Sequence, residues 1–159
     1  MKLIFPVFSL LLAMTATAQP TDHRFSQTDS TSASPDRIWR IWTDVPNWNQ
    51  WDTGLKEARL EGDFESGTKG TLIPDRGPKS RFVISQLVPG QSYTFKTRIP
   101  FGWLVVKRSL KTAGGRTYFT HDVAFTGLLK RFWGRRLGRS YRAMLPTVLQ
   151  TIKQLAETP

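Results

Sequence analysis

The last long segment of the chain constrains its fold more than any other feature. At about 100° per residue, the pitch of an α-helix, Trp133, Leu137, Tyr141, Met144, Leu145, Val148, Ile152 and Leu155 fall within an arc of roughly 120°. Arg131, Arg135, Arg136, Arg139 and Arg142 occupy a different arc. This predicts a helix that begins within Gly127–Lys130, runs to about Ala156, packs one face and presents a cationic one. Such a helix needs another layer to cover its apolar stripe. Pro146 lies inside it and removes a backbone hydrogen bond, so a bend is expected near Arg142–Pro146.

The covering layer is written in the middle of the chain. Beyond Gly54 the texture turns to short alternating runs divided by turn residues, the mark of an antiparallel sheet. Strands are expected at Leu55–Phe64, Gly70–Ile73, Arg81–Val88, Tyr93–Ile99, Trp103–Thr112 and Arg116–Thr126, with breaks at Pro74–Pro78, Pro89-Gly90, Pro100–Gly102 and Ala113–Gly115. Tyr93, Phe95, Thr97 and Ile99 alternate with Thr94, Lys96 and Arg98, so the odd positions should face inward. Phe25–Ala33, rich in Ser and Thr, reads as one further strand. Ser34-Pro35-Asp36 then supplies a hydroxyl cap, a first-turn proline and an acid at the positive end of a helix dipole. Ile38, Ile41, Trp42 and Val45 continue that helix until Pro46, and Asn47–Asp52 forms a short turn with Trp48 and Trp51. The fold class is therefore α+β, with six or seven strands, in a single domain over residues 25–157.

The start of the chain differs in kind. Lys2 precedes an almost wholly apolar run, Leu3–Met14, and Ala16-Thr17-Ala18 forms a small-x-small site before Gln19. Residues 1–18 read as a cleavable signal peptide; as a membrane anchor the run is shorter than the roughly 20 residues that span a bilayer. A periplasmic or secreted location follows, with 19–24 as a flexible leader. The chain has no cysteine, so no disulfide supports the fold.

Charge is uneven. The 159 residues carry 23 basic and 12 acidic side chains, a formal net charge of +11, yet from Lys96 onward the only acids are Asp122 and Glu157. For an exported protein this points to an anionic membrane surface or an acidic ligand rather than nucleic acid, or to solubility alone. Arg131, Arg135, Arg139 and Arg142 are the candidate membrane-facing row.

The segments Ser34–Trp39, Thr43–Asp52, Gly67–Gly70 and Thr117–Gly127, followed by the long closing helix from Leu128 to Lys153, together resemble the START-like (SRPBCC) superfamily in its polyketide cyclase/dehydrase and lipid-transport branch. The resemblance implies a helix-grip fold, in which a curved antiparallel sheet wraps a C-terminal helix around a cavity for lipids, sterols, polyketides or similar molecules. Ten Phe and six Trp would suit such a pocket, though aromatics at these spacings also serve as plain core. The candidate lining is Trp51, Phe82, Phe95, Thr97, Val106, Arg108, Asp122, Tyr141, Met144, Leu145 and Val148.

Arg108 and Asp122 enter through strand register. If the Phe101 and Gly114-Gly115 turns pair the strands simply, Phe95 and Thr97 lie beside Val106 and Arg108, then Thr120 and Asp122. Arg108 and Asp122 would then form a buried pair able to anchor a ligand head group. A one-residue slip at either turn exchanges each choice, and an Arg108 facing solvent is the plainer alternative. His121 and Asp122, as strand neighbours, cannot both enter one pocket; His121 is a candidate base or a structural hydrogen-bonding group.

Sequence motifs for catalysis are sparse. G-x-S-x-G, Walker and G-x-G-x-x-G patterns are absent, and Gly67–Gly70 has the wrong spacing for a phosphate loop. Without cysteine, and with only His23 and His121, a His/Cys zinc site is excluded. The expected function is an exported, monomeric binding or transport protein for a hydrophobic small molecule or lipid, with no metal or cofactor. A cyclase- or dehydrase-like enzyme and a cationic membrane-docking protein are the alternatives.

Overall fold

The computed structural model describes residues 21–158; residues 1–18, read from sequence as a signal peptide, lie outside them. Strand β1 (Arg24–Thr31) leads into helix α1 (Pro35–Thr43) and a 3₁₀ turn, Val45–Gln50. Six strands follow: β2 (Leu55–Leu60), β3 (Lys69–Pro74), β4 (Ser80–Val88), β5 (Ser92–Ile99), β6 (Gly102–Ala113) and β7 (Arg116–Gly127). Helix α2 (Lys130–Glu157) ends the domain. All seven strands form one antiparallel sheet in the order β1-β7-β6-β5-β4-β3-β2, so the N-terminal strand closes onto the last one. Register shifts at Leu55/Glu57 and Ile84/Gln86 add local twist. This is the helix-grip architecture, with α2 held against β1, β7 and α1.

Local chemistry explains the boundaries. Ser34 caps α1, its hydroxyl accepting the Arg37 N–H at 3.3 Å, with Pro35 in the first turn. Ile38 and Trp42 fill the buried face. Helix α2 is continuous across Pro146, and its buried positions are Gly134, Gly138, Leu145, Val148, Leu149, Ile152 and Ala156. The C-terminal half of the expected stripe is therefore core, whereas Trp133, Leu137, Tyr141, Met144 and Leu155 are only partly buried against it.

Two glycines account for that shift. A Cβ at Gly134 or Gly138 would approach the Asp22 carbonyl oxygen to 2.7 Å, so only glycine lets the segment before β1 lie this close to α2. Thr21–Arg24, read from sequence as leader, is correspondingly built into the fold. Thr21 and Arg24 form a bridge, the His23 carbonyl accepts the Phe125 N–H at 2.8 Å, and Arg142 Nη2 donates to the Thr21 carbonyl at 2.8 Å.

Candidate functional site

Strands β5, β6 and β7 and the α1–β2 connection bring one cation into the middle of the core. Arg108 on β6 stands opposite Tyr93 of β5 and His121 of β7, and all three point inward. The register between β6 and β7 is fixed by a two-residue turn, Gly114-Gly115, in which both residues take positive φ and Ala113 pairs with Arg116. Such a turn suits the twist of a hairpin and leaves no slack in the pairing. It overturns the expected Arg108–Asp122 pair: Asp122 and Thr120 lie on the outer face, Asp122 opposite Lys107, and His121 takes the inward place. The two-residue turn moves the pairing by one position, which reverses every inward and outward choice on β7.

Arg108 is 3% exposed, and its guanidinium is caged by rings: Trp51 at 4.6 Å, Trp48 at 4.7 Å, Phe95 at 5.2 Å and Tyr93 at 5.4 Å from carbon to centroid. Nη1 donates to the Tyr93 hydroxyl. That hydroxyl donates in turn to the Trp42 carbonyl at 3.2 Å, which also accepts from Trp48 Nε1 at 2.9 Å. The network thus turns the Tyr93 oxygen lone pairs toward the arginine. Aromatic faces attract a desolvated cation by about 2 kcal/mol, but they cannot replace hydrogen-bond acceptors. Among the described residues no carboxylate reaches ion-pairing distance of Arg108.

Arg108 Nε therefore has no partner, and it is not alone. Trp42 Nε1, Trp51 Nε1, Thr97 Oγ1 and His121 Nε2 are also buried without one. His121 sits 5.5 Å from the Trp42 ring and 6.2 Å from Trp51. Buried polar groups without partners are rare in folded proteins, because each forfeits its hydration. Of these, Trp51 packs on the guanidinium and His121 stands opposite Arg108 across the β6–β7 ladder.

The electrostatics follow from this burial. Burial first, and then the charge of Arg108, hold the His121 imidazole well below its ordinary value, so it is neutral. Burial pushes the Tyr93 hydroxyl up to about 12 against the pull of Arg108. Asp52, just beyond the 3₁₀ turn, has its carboxyl raised by burial, opposed by Arg108 and by the Gly54 N–H that donates to Oδ1 at 3.2 Å. Tyr141 of α2 is pushed up to about 12, again by burial and then by Asp52.

Of the sequence candidates, Trp51, Phe82, Phe95, Thr97, Val106, Arg108, Leu145 and Val148 are buried in this interior, and Tyr141 and Met144 flank it on α2. Trp42, Trp48, Tyr93 and His121 belong to the site as well. Trp42 and Tyr93 were legible as inward positions, but nothing in the sequence said that they would meet a cation. A surface groove of about 280 Å³, lined by Arg37, Arg40, Ile41, Asp44, Asn47, Gln50 and Leu155, has Trp51 in its wall, so a single indole separates it from Arg108.

The cationic row on α2 is exposed throughout. Arg135 lies 4.0 Å from Asp22, and Arg142 stacks 4.8 Å over Phe25. With Asp22, Gly134 and Ala143, the side chains of Arg135, Arg139 and Arg142 line a second groove of about 470 Å³. Among the described residues no cluster of three or more His, Cys, Asp or Glu is placed to hold a metal ion, and no helix is long and apolar enough to cross a membrane.

A helix-grip domain with an aromatic, partly polar interior defines a class of proteins that bind hydrophobic small molecules. The sequence matches the family described as "Polyketide cyclase / dehydrase and lipid transport" over residues 22–154, and the chain belongs to that family. Comparison with curated protein sequences finds no match. Among solved structures, the chain is similar to a hypothetical protein of Helicobacter pylori, with TM-score 0.71 at 8% identity over 93% of this chain and all of that one. It is similar to a protein of Mesorhizobium loti, with TM-score 0.68 at 14% identity over 83% and 95%. A protein of Thermus thermophilus gives TM-score 0.62 at 11% identity over 84% and 96%. At these identities the likeness establishes the fold alone.

Proposed function

We propose that the protein is an exported binding or transport protein that holds an amphiphilic hydrophobic molecule or lipid between the sheet and α2, its polar head toward Arg108. The observation that carries this reading is the buried, ring-caged Arg108, whose Nε has no partner and whose cage includes Trp51 with an unpartnered indole Nε1. An apolar core alone is better served by an uncharged residue of similar volume, since a buried cation with no carboxylate in direct contact is costly, and Asp52, whose carboxyl feels the charge of Arg108, stays beyond ion-pairing distance. A ligand that brings a carboxylate or another acceptor supplies what Arg108, Trp42 and Trp51 lack, and its tail would take up space among Phe82, Phe95, Val106 and Val148 by displacing side chains such as Trp51. The sequence of residues 1–18 supports export, and the basic second half supports contact with an anionic membrane surface where such a ligand is loaded or released.

Titration of the purified protein with hexadecanoic acid, hexadecanol and hexadecane, followed by tryptophan emission, tests the reading. The acid should bind at least about tenfold more tightly than the alcohol, as expected for one charge-assisted hydrogen bond. Equal affinities would remove the head-group role, and no response to any of the three would remove the hydrophobic-ligand reading. Export is tested by N-terminal sequencing of the envelope fraction, where the mature chain should begin at Gln19; Met1 there would overturn cleavage.

A further inference from the structure

One end of the molecule exposes large apolar side chains that no part of the core needs. Leu128 is 84% exposed, Phe101 72%, Phe132 54% and Trp103 39%. They come from two neighbouring turns, β5–β6 and β7–α2, which are tied together. The Phe101 carbonyl accepts the Leu128 N–H at 3.0 Å, Gly102 pairs with Gly127, and Trp133 Nε1 donates to the Pro100 carbonyl at 3.0 Å. Phe132 packs edge-on against Trp133 at 5.1 Å. These bonds hold the exposed apolar side chains at one end of the fold, its tip.

Phe101 gives the tip a second peculiarity. Its φ is +58°, a left-handed conformation that costs an L-residue about 1–2 kcal/mol and is ordinarily left to glycine. The adjacent glycine cannot exchange places with it: a Cβ at Gly102 would lie 1.9 Å from the Thr126 carbonyl oxygen. The turn therefore holds a strained backbone in order to point a phenyl ring at solvent. Strain of this kind usually marks a function.

The rim supplies the partner's sign. Arg98 stacks 5.9 Å over Trp103, and Lys130, Arg131, Arg135 and Arg136 follow Leu128 on the first turns of α2, against a single neighbouring carboxylate in the described ion pairs, Asp22 at 4.0 Å from Arg135. An apolar tip alone would fit many partners, but an apolar tip flanked by arginine and lysine fits an interface whose outer layer is anionic and whose inner layer is hydrocarbon. We propose that this end of the fold inserts into an anionic bilayer surface. Phe101, Leu128 and Phe132 enter the boundary between head groups and acyl chains, while Arg98, Lys130, Arg131 and Arg135 meet lipid phosphates.

The inference rests on the reading of the basic half as membrane-facing, and it moves the contact from the flank of α2 to its first turn. The cysteine-free chain gives a direct test, because single cysteines can be labelled cleanly. In the mature protein, a nitrobenzoxadiazole label at Leu128→Cys should shift blue and be quenched by lipid-borne nitroxide on phosphatidylglycerol vesicles, whereas one at Gly114→Cys should not. Co-sedimentation of a Phe101→Gly, Leu128→Ser, Phe132→Ser variant with the same vesicles should fall roughly tenfold or more. Part of the wild-type binding should survive 1 M salt, since only its electrostatic share is screened. Unchanged binding of this variant, or equal insertion of both labels, would overturn the tip. If binding is instead lost only when Arg131, Arg135, Arg139 and Arg142 become Gln, the electrostatic surface stands and the tip does not. Absence of binding to phosphatidylglycerol would overturn both.

Discussion

In two regions of the molecule arginine and aromatic side chains meet with opposite outcomes. Around Arg108 the rings of Trp48, Trp51, Tyr93 and Phe95 are buried as rings should be, and the cation is the group out of place. At the tip Arg98 and Arg131 are solvated as cations should be, and Phe101, Leu128 and Phe132 are the groups out of place. The same side-chain chemistry is thus unsatisfied in opposite senses. Inside, the missing partner is a hydrogen-bond acceptor; outside, it is an apolar phase. A molecule with a polar head and an apolar tail answers the first need, and an assembly of such molecules answers the second.

Replacement by aspartate should separate the two regions most sharply. Ile152→Asp would place an unpaired carboxylate in the core and cost several kcal/mol. Phe132→Asp at the tip should stay within about 0.5 kcal/mol. Urea unfolding of the two variants checks this, and a small effect at Ile152 would mean that α2 does not close the interior.

The next largest effect should come from removing the buried cation. Arg108→Met keeps much of the volume and discards the charge, so stability should hold or rise while the preference for an acid-headed ligand disappears. Clear destabilisation would show that Arg108 serves the fold rather than a ligand.

A smaller effect belongs to pH. The His121 proton affinity is depressed in the folded state, so below the ordinary histidine value of 6.5 the unfolded chain binds a proton that the folded one refuses. Stability should therefore fall as pH drops through and below 6.5, and His121→Gln should flatten that limb. No comparable limb can arise at the tip, which has no buried titratable group. Identical melting profiles for the two proteins from pH 7 to pH 5 would deny His121 its buried neutral state.

The smallest effect has the opposite sign. Phe101→Gly relieves a left-handed phenylalanine, worth about 1–2 kcal/mol, against about 0.5–1 kcal/mol of added chain entropy, so it should stabilise the fold by up to about 1 kcal/mol while weakening vesicle binding. A stabilised variant with undiminished binding would leave the strain at Phe101 without a use.

Much of the fold was legible because local chemistry dictated it. Ser34-Pro35 begins α1, the odd positions of β5 face inward as alternation required, and the apolar stripe of α2 from Leu145 to Ile152 is core. Residues whose role depends on distant partners were not. The β6–β7 register turns on whether Gly114-Gly115 closes in two residues, a matter of backbone conformation that the dipeptide permits without requiring, and Asp122 was misplaced for that reason. The first half of the α2 stripe was displaced because Gly134 and Gly138 receive the backbone at Asp22. At the tip, Phe132 lies off the helical arc, but nothing short of the turn-to-turn hydrogen bonds brings it beside Phe101.

The closure of β1 onto β7 carries a consequence of its own. Thr28 and Thr120 share a hydrogen bond at 2.8 Å although 92 positions separate them. Strands β2 to β7 each pair with a sequence neighbour and can assemble hairpin by hairpin, whereas β1 has no partner until the far end of the chain exists. Distant pairings of this kind form slowly, because the intervening chain must be ordered first. A polypeptide made from its N-terminus thus carries its first strand idle through nearly the whole of synthesis, and the sheet gains its last edge only when β7 is complete. Until then β1 itself is an unpaired strand, the part of a nascent chain most prone to pair with a neighbour.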